Sequence, residues 1–394
     1  MQHERIVSIV AERQPAMLRF LEEIVNIDSP TEDKALADRV GDVLQAKAES
    51  LGMTSSRDRQ QDFADNRICR FQSKRGEGRP RILMVGHYDT VYAAGTVGQR
   101  PFRIDGERAS GPGVLDMKGG LTVGLFALEA LKAASGVFPL DVTFIFNSDE
   151  EVGSPASRKV ILEEAARHDL ALVLEPGRPG PALTVGRKGV GIFKLAVEGT
   201  EAHAGAEPEK GINSIVELAY KVLAVQALND ASAGTIVTPG VVSGGTKPYV
   251  VPGRAELAVD CRVGSTAERD RINAAMAEIA AKSWIPGTTT RLSGGFHRPP
   301  MEATAASMAF IERLREVAAD VGFPLGMATT GGASDGNLTA AAGTPTIDGL
   351  GVHGARAHSS EEHIELRSLE GKCRVLACFL ASLAGPRGGL NKGG

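Results

Sequence analysis

Cysteine is scarce in this chain: Cys69, Cys261, Cys373 and Cys378 are the only four among 394 residues, and none belongs to a CxxC pair. Cys373 and Cys378 fall on a helical pattern at a spacing that points them in different directions. This dispersal excludes a thiolate metal site and suits a reducing compartment. Long apolar runs are missing too, since no stretch reaches the roughly 20 apolar residues of a membrane span. The opening MQHERIVSIVAERQPAMLRFLEEIVNI repeats apolar residues at helical spacing with charges between them, unlike the unbroken apolar core of a signal peptide. Neither charge sign dominates: 44 Lys and Arg face 48 Asp and Glu, for a net charge of −4. No basic stripe offers itself to a nucleic acid. The expectation is a cytoplasmic protein that acts on a small molecule and partners neither nucleic acid nor membrane.

What the chain does contain is length and periodicity. At 394 residues it exceeds what one hydrophobic core usually serves, so two domains are expected. Between residues 80 and 185, RILMV, DVTFIFN and LALVLEP read as buried strands separated by the helical patterns GGLTVGLFALEALKAA and SRKVILEEAARH. Apolar strands alternating with helices imply an α/β domain with a largely parallel sheet covered on both faces. From about residue 188 the order becomes β-α-β-β-α-β with one-sided strands, the order of a ferredoxin-like α+β sandwich. After FHRPPM the α/β pattern resumes and ends in a helix from Leu366 to about Leu383, followed by a tail, GPRGGLNKGG, expected to fray. The layout is therefore one α/β domain over residues 1–186 and 297–394, with a smaller module over 187–296 inserted.

Polar groups able to bind metal recur where the strands end. His87 and Asp89 follow RILMV, Asp149, Glu150 and Glu151 follow DVTFIFN, and Glu175 follows LALVL. Ligands of α/β proteins sit outside the carboxyl ends of the strands, so separate strand exits can deliver these groups to one crevice. Asp116 lies in the glycine-rich GPGVLDMKGG, whose glycines permit turns and close approach. Singly, each has a plainer explanation: an N-cap, an acidic first turn, a hydrogen-bonded histidine. Their coincidence at successive strand exits favours the functional one. Histidine and carboxylate without thiolate suit a catalytic zinc, and many carboxylates beside few histidines suit two ions sharing a carboxylate. Hydrolysis follows as the reaction class, with one of Glu150 and Glu151 as general base and the other on the metal.

Other segments carry weaker signals. His203, in the loop EGTEAHAGAEPEKGINS, is either a solvated surface residue or an electrophilic donor to a developing oxyanion. TTGGASDGN, with Gly332 and Ser334, is either a site for a substrate carboxylate or an ordinary turn capped by Ser334. GLGVHG satisfies GxGxxG but runs into a polar segment rather than an apolar helix, so the dinucleotide context is missing. The same region holds His353, His358 and His363, and spacing alone does not choose among them.

The blocks GHYDTVY, GPGVLDMKGG, NSDEEVGS, VLEPGR, EAHAGAEPEKGINS, TGGASD and AHSSEE, in this order, resemble the dinuclear zinc hydrolases of the glutamate carboxypeptidase and aminoacylase family. The resemblance implies metal ligands at His87, Asp116, Glu151, Glu175 and His358, with Asp116 bridging two Zn2+ ions for which Co2+ or Mn2+ could substitute. It implies Asp89 as the carboxylate orienting His87, Glu150 as general base and His203 as oxyanion donor across a homodimer built on the inserted dimerisation (lid) domain. Arg298 is similar to the arginine near which relatives grip a substrate carboxylate, and with Tyr249 and the turn residues Gly332 and Ser334 it is a candidate substrate contact. Tyr249 stands where relatives carry asparagine, and Arg187 and Arg254 compete with Arg298 for a substrate carboxylate. The implied activity is removal of a C-terminal amino acid from a peptide or N-acyl amino acid. The alternatives are a deacylase of acetylated or succinylated amino acids and, in another class, a binding relative without metals.

Overall fold

A computed structural model describes residues 2–72 and 80–384. The tail expected to fray lies outside the described residues. The chain divides into two compact units, one of residues 1–185, 303–329 and 334–394, the other of residues 186–302 and 330–333. Among the described residues, no helix is long and apolar enough to cross a membrane.

The first unit is built on a six-stranded sheet ordered Thr54–Asp58, Asn66–Phe71, Asp141–Asn147, Arg81–His87, Leu170–Val173 and Thr346–Ile347. The four strands from Asp141–Asn147 onward pair in parallel, whereas the first two join antiparallel at one edge. The sheet is thus mixed, because Asn66–Phe71 runs against both of its neighbours, and the polar, largely exposed TSSRD segment beyond it forms an edge strand with no apolar signature. Strand Arg81–His87 sits between two neighbours and is buried from Ile82 onward, as its apolar run dictates. Helix Gly119–Ser135 is buried on nearly every side. A Cβ on Gly120 would stand 2.0 Å from the Leu174 carbonyl oxygen, so only glycine lets the helix lie this close to the strand exit that leads to Glu175. Helices Gln2–Val25 and Leu366–Leu383 pack against it.

In the second unit, strands Ile236–Gly244, Arg254–Val263, Gly189–Glu198 and Thr289–Arg298 form one antiparallel sheet in that spatial order. The chain order is β-α-β-β-α-β, with helices Ser214–Gln226 and Thr266–Ala281. Ala255, Leu257, Val259, Cys261 and Val263 all turn to one face, the period-two pattern of a one-sided sheet, and join Leu218, Val225, Ile272 and Met276 in the core. The helices are locked together by a buried pair: Lys221 Nζ lies 3.1 Å from Glu217 Oε1 and donates to the carbonyls of Ile279 and Lys282 at 2.7 Å each. Glu217 in turn accepts the Trp284 and Ile285 N–H groups at 2.8 and 2.7 Å.

Candidate metal centre

His87 closes the central strand of the first unit. It is in register with Asn147, and Val85 with Val173, so the segments bearing Glu150, Glu151 and Glu175 leave neighbouring strands on the same side of the sheet. His87 Nε2 lies 3.2 Å from Asp116 Oδ1 and 3.7 Å from Glu175 Oε1. His358 Nε2 lies 3.2 Å from Asp116 Oδ2 and 3.2 Å from Glu151 Oε2. Asp116 therefore turns one oxygen toward each histidine. Donor atoms of His87, Glu150 and Glu175 fall within 4.8 Å of one another, as do those of His87, Asp116 and Glu151.

Four carboxylates around two imidazoles repel one another unless cations sit among them. Burial opposes a charge on His87, yet hydrogen bonds to Asp116 and Asp89 and the charge of Glu175 raise its pKa well above the ordinary histidine value. Asp116 and Glu151 push His358 up to about 10. The hard oxygen and imidazole donors, their convergence and this surplus of negative charge all fit a pair of divalent cations.

The surrounding residues fix these groups. Asp89 Oδ1 is 3.3 Å from His87 Nδ1, while Asp89 Oδ2 accepts from Thr31 Oγ1 at 2.8 Å. The Glu150 and Glu151 N–H groups each donate to the Asp89 carboxylate at 3.3 Å. Asp149 is buried and accepts the Ala156 and Ser157 N–H groups at 2.6 and 3.0 Å, closing the turn that carries the two glutamates. Sequence reading left Glu362 without a role. Its buried carboxylate accepts the N–H groups of Gly113, Leu115 and Asp116 at 3.0, 2.8 and 3.0 Å, and the Tyr92 hydroxyl at 2.7 Å. Glu362 ends the AHSSEE block four residues after His358, and nearness along the chain says nothing of burial.

The remaining histidines of that region separate cleanly. His353 is buried with its ring 6.0 Å from that of Phe323, and His363 Nδ1 lies 2.8 Å from the Glu361 carbonyl. The GLGVHG segment runs into the short strand Gly354–Ala355, not a helix. Ser334 is buried, donates to Asp348 Oδ2 at 2.7 Å and accepts from the Gly336 N–H at 2.9 Å, so its hydroxyl is spent holding the turn.

In the second unit, His203 pairs with Val250 in a two-residue ladder. Its Nδ1 receives the Gly205 and Ala206 N–H groups, both at 3.1 Å. Two donors aimed at Nδ1 require a lone pair there, which assigns the proton to Nε2. Tyr249 is exposed, its carbonyl accepts the Ala204 N–H at 3.0 Å, and Lys247 Nζ lies 5.8 Å from its ring. Arg298 is buried at the end of its strand. Arg187 is also buried and donates to the Gly332 and Ala333 carbonyls at 3.3 Å, whereas Arg254 is exposed and pairs with Glu256.

An α/β fold with histidines and carboxylates gathered at its strand exits defines a metal-dependent hydrolase. The chain belongs to Peptidase family M20/M25/M40, whose profile matches residues 83–382. It is 30% identical over 377 residues to carboxypeptidase G2 of Pseudomonas sp. (strain RS-16), spanning 94% of this chain and 90% of that protein. It is 28% identical over 381 residues to succinyl-diaminopimelate desuccinylase of Delftia acidovorans, spanning 90% and 94% respectively. Among solved structures, its fold is similar to aminopeptidase PepT from Bacillus cereus, with a TM-score of 0.79 at 22% identity, covering 94% of this chain and 99% of that one.

Proposed function

We propose that the chain is a dinuclear zinc hydrolase that cleaves the C-terminal amide bond of a peptide or N-acyl amino acid. The observation that carries this reading is the shared carboxylate, with Asp116 Oδ1 and Oδ2 each 3.2 Å from a different histidine. In this reading His87 and Glu175 would hold one ion and Glu151 and His358 the other, with one oxygen of Asp116 available to each. The donor set suits zinc, with Co2+ or Mn2+ as substitutes. Bound there, the ions supply an acidified water and a polarised carbonyl. Glu150, with its N–H anchored on Asp89, takes the proton of the attacking water and passes it to the leaving amine. Asp89 keeps His87 oriented. His203 offers its Nε2–H to the oxyanion. Arg298, Tyr249 and the backbone at Gly332 meet the distal end of the substrate, and Ser334 shapes the adjoining turn.

The module over residues 187–296 serves as dimerisation and lid domain, with His203 acting across a homodimer. Two kinds of exposed apolar surface support this. Val216, Tyr220 and Leu223 project from helix Ser214–Gln226, and Val241 and Val242 lie on the open edge strand Ile236–Gly244. An exposed apolar edge strand is a template for pairing with a second chain. A cytoplasmic location suits the four cysteines, all buried free thiols.

The likeness to a desuccinylase favours a second reading, deacylation of N-succinyl or N-acetyl amino acids. A panel of glutamate-terminated peptides and N-acyl amino acids, assayed with the zinc-loaded enzyme, separates the two. The first reading expects kcat/KM at least about 100-fold higher for the glutamate-terminated peptides than for the N-succinyl and N-acetyl amino acids, equivalent to roughly 2.7 kcal/mol of transition-state discrimination. Hydrolysis of neither class would remove both readings.

A further inference from the structure

Tyr92, Glu362 and the loop before Asp116 form a brace joining three ligand-bearing segments of the first unit. Tyr92 closes the GHYDTVY segment that also holds His87 and Asp89. Its hydroxyl lies 2.7 Å from Glu362 Oε2 and 2.8 Å from the carbonyl of Ser359, the residue after His358. Arg100 packs over the Tyr92 ring at 4.8 Å and reaches the same Ser359 carbonyl at 3.4 Å. Glu362 Oε1 accepts the Leu115 and Asp116 N–H groups, and Oε2 accepts that of Gly113. Gly113 has φ 73°, and a Cβ there would stand 2.6 Å from Thr90 Cγ2, so the turn fits against the Asp89 segment only as glycine. Three N–H groups converging on one buried anion leave the backbone at Asp116 a single well-hydrogen-bonded position.

We propose that Glu362 is a positioning residue whose carboxylate holds the Asp116 backbone where its two side-chain oxygens divide between His87 and His358. This rests on the metal-centre reading above. Glu362 contacts Asp116 at the backbone N–H, not at the side-chain oxygens proposed to bind metal. It acts on the ions only through Asp116. The anion is essential to this work, because an amide of the same shape presents one acceptor and one donor group to four donors.

The test is Co2+ binding by the full-length chain, read as affinity and as the visible absorption bands of the Co2+-loaded protein. Unfolding of the metal-free protein is followed alongside. Glu362→Gln is expected to weaken Co2+ binding by about 10- to 100-fold and to shift the bands, as loss of an outer partner does at other metal sites. Tyr92→Phe, which removes one donor and keeps the ring, should shift both in the same direction by less. Glu217→Gln in the second unit disturbs a buried carboxylate far along the chain, and it should alter unfolding while leaving affinity and bands as in the wild type. Wild-type affinity and bands in Glu362→Gln overturn the inference. If that variant does not fold, unchanged binding and bands in Tyr92→Phe overturn it instead. Wild-type protein that takes up no Co2+ overturns the metal-centre reading itself, and this inference with it.

Discussion

Asp89 divides its carboxylate between the ring of His87 and the backbone N–H groups of Glu150 and Glu151, so one buried carboxylate orients a proposed ligand and the turn carrying the proposed base. This separates two functions that are adjacent in sequence. Glu150→Gln keeps the backbone anchor and removes the proton acceptor. It should lower kcat by about 10²- to 10⁴-fold, the usual worth of general acid–base catalysis. Bound zinc, measured by elemental analysis, should stay at the wild-type level; a parallel loss of metal would make Glu150 a ligand. At this scale much of the candidate site was legible. His87, Asp116, Glu151, Glu175 and His358 stand in segments whose residue types announce metal chemistry. Glu362 did not, since only the fold reveals that its carboxylate is buried against the Asp116 loop.

Helix Gly119–Ser135 determines where Glu175 begins. Gly120 abuts the Leu174 carbonyl, and a Cβ on Gly124 would stand 2.6 Å from Leu174 Cδ1, so the glycines make a flat face against the residue preceding that carboxylate. Gly120→Ala gains helix propensity but must push helix and strand exit apart. Its destabilisation should be about 1–3 kcal/mol, the range for overpacking, visible as an earlier midpoint in urea with an unchanged slope. Equal or greater stability would show that the contact yields freely. The helix itself was legible from its apolar period. The edge strand Thr54–Asp58 was not, because its polar residues carry no pattern and its partner supplies the hydrogen bonds.

For the molecule as a whole, the second unit presents Leu223, Val241 and Val242 at 69%, 65% and 59% exposure, which is costly for a lone subunit and ordinary beneath a partner. The proposed homodimer predicts that Leu223→Asp combined with Val242→Lys converts the protein to a monomer in light scattering, whereas a wild-type monomer removes the dimer proposal. If His203 acts across the dimer, kcat should fall with that conversion while each chain keeps its zinc. An active monomer would return His203 to its own subunit.

The sequence by itself determined which residue types stand at the strand exits, the alternation that makes the sheet of the second unit one-sided, and the chain order of its strands and helices. These are local properties, set by periodicity over a few residues. Tertiary structure decided that His358 and not His353 or His363 meets Asp116, that the hydroxyl of Ser334 is turned to Asp348, and that Glu362 braces the loop before Asp116. Those outcomes depend on which segments, far apart along the chain, come within about 3 Å, the reach of a hydrogen bond. Spacing along a polypeptide does not encode that distance; the packing of helices against a twisted sheet does.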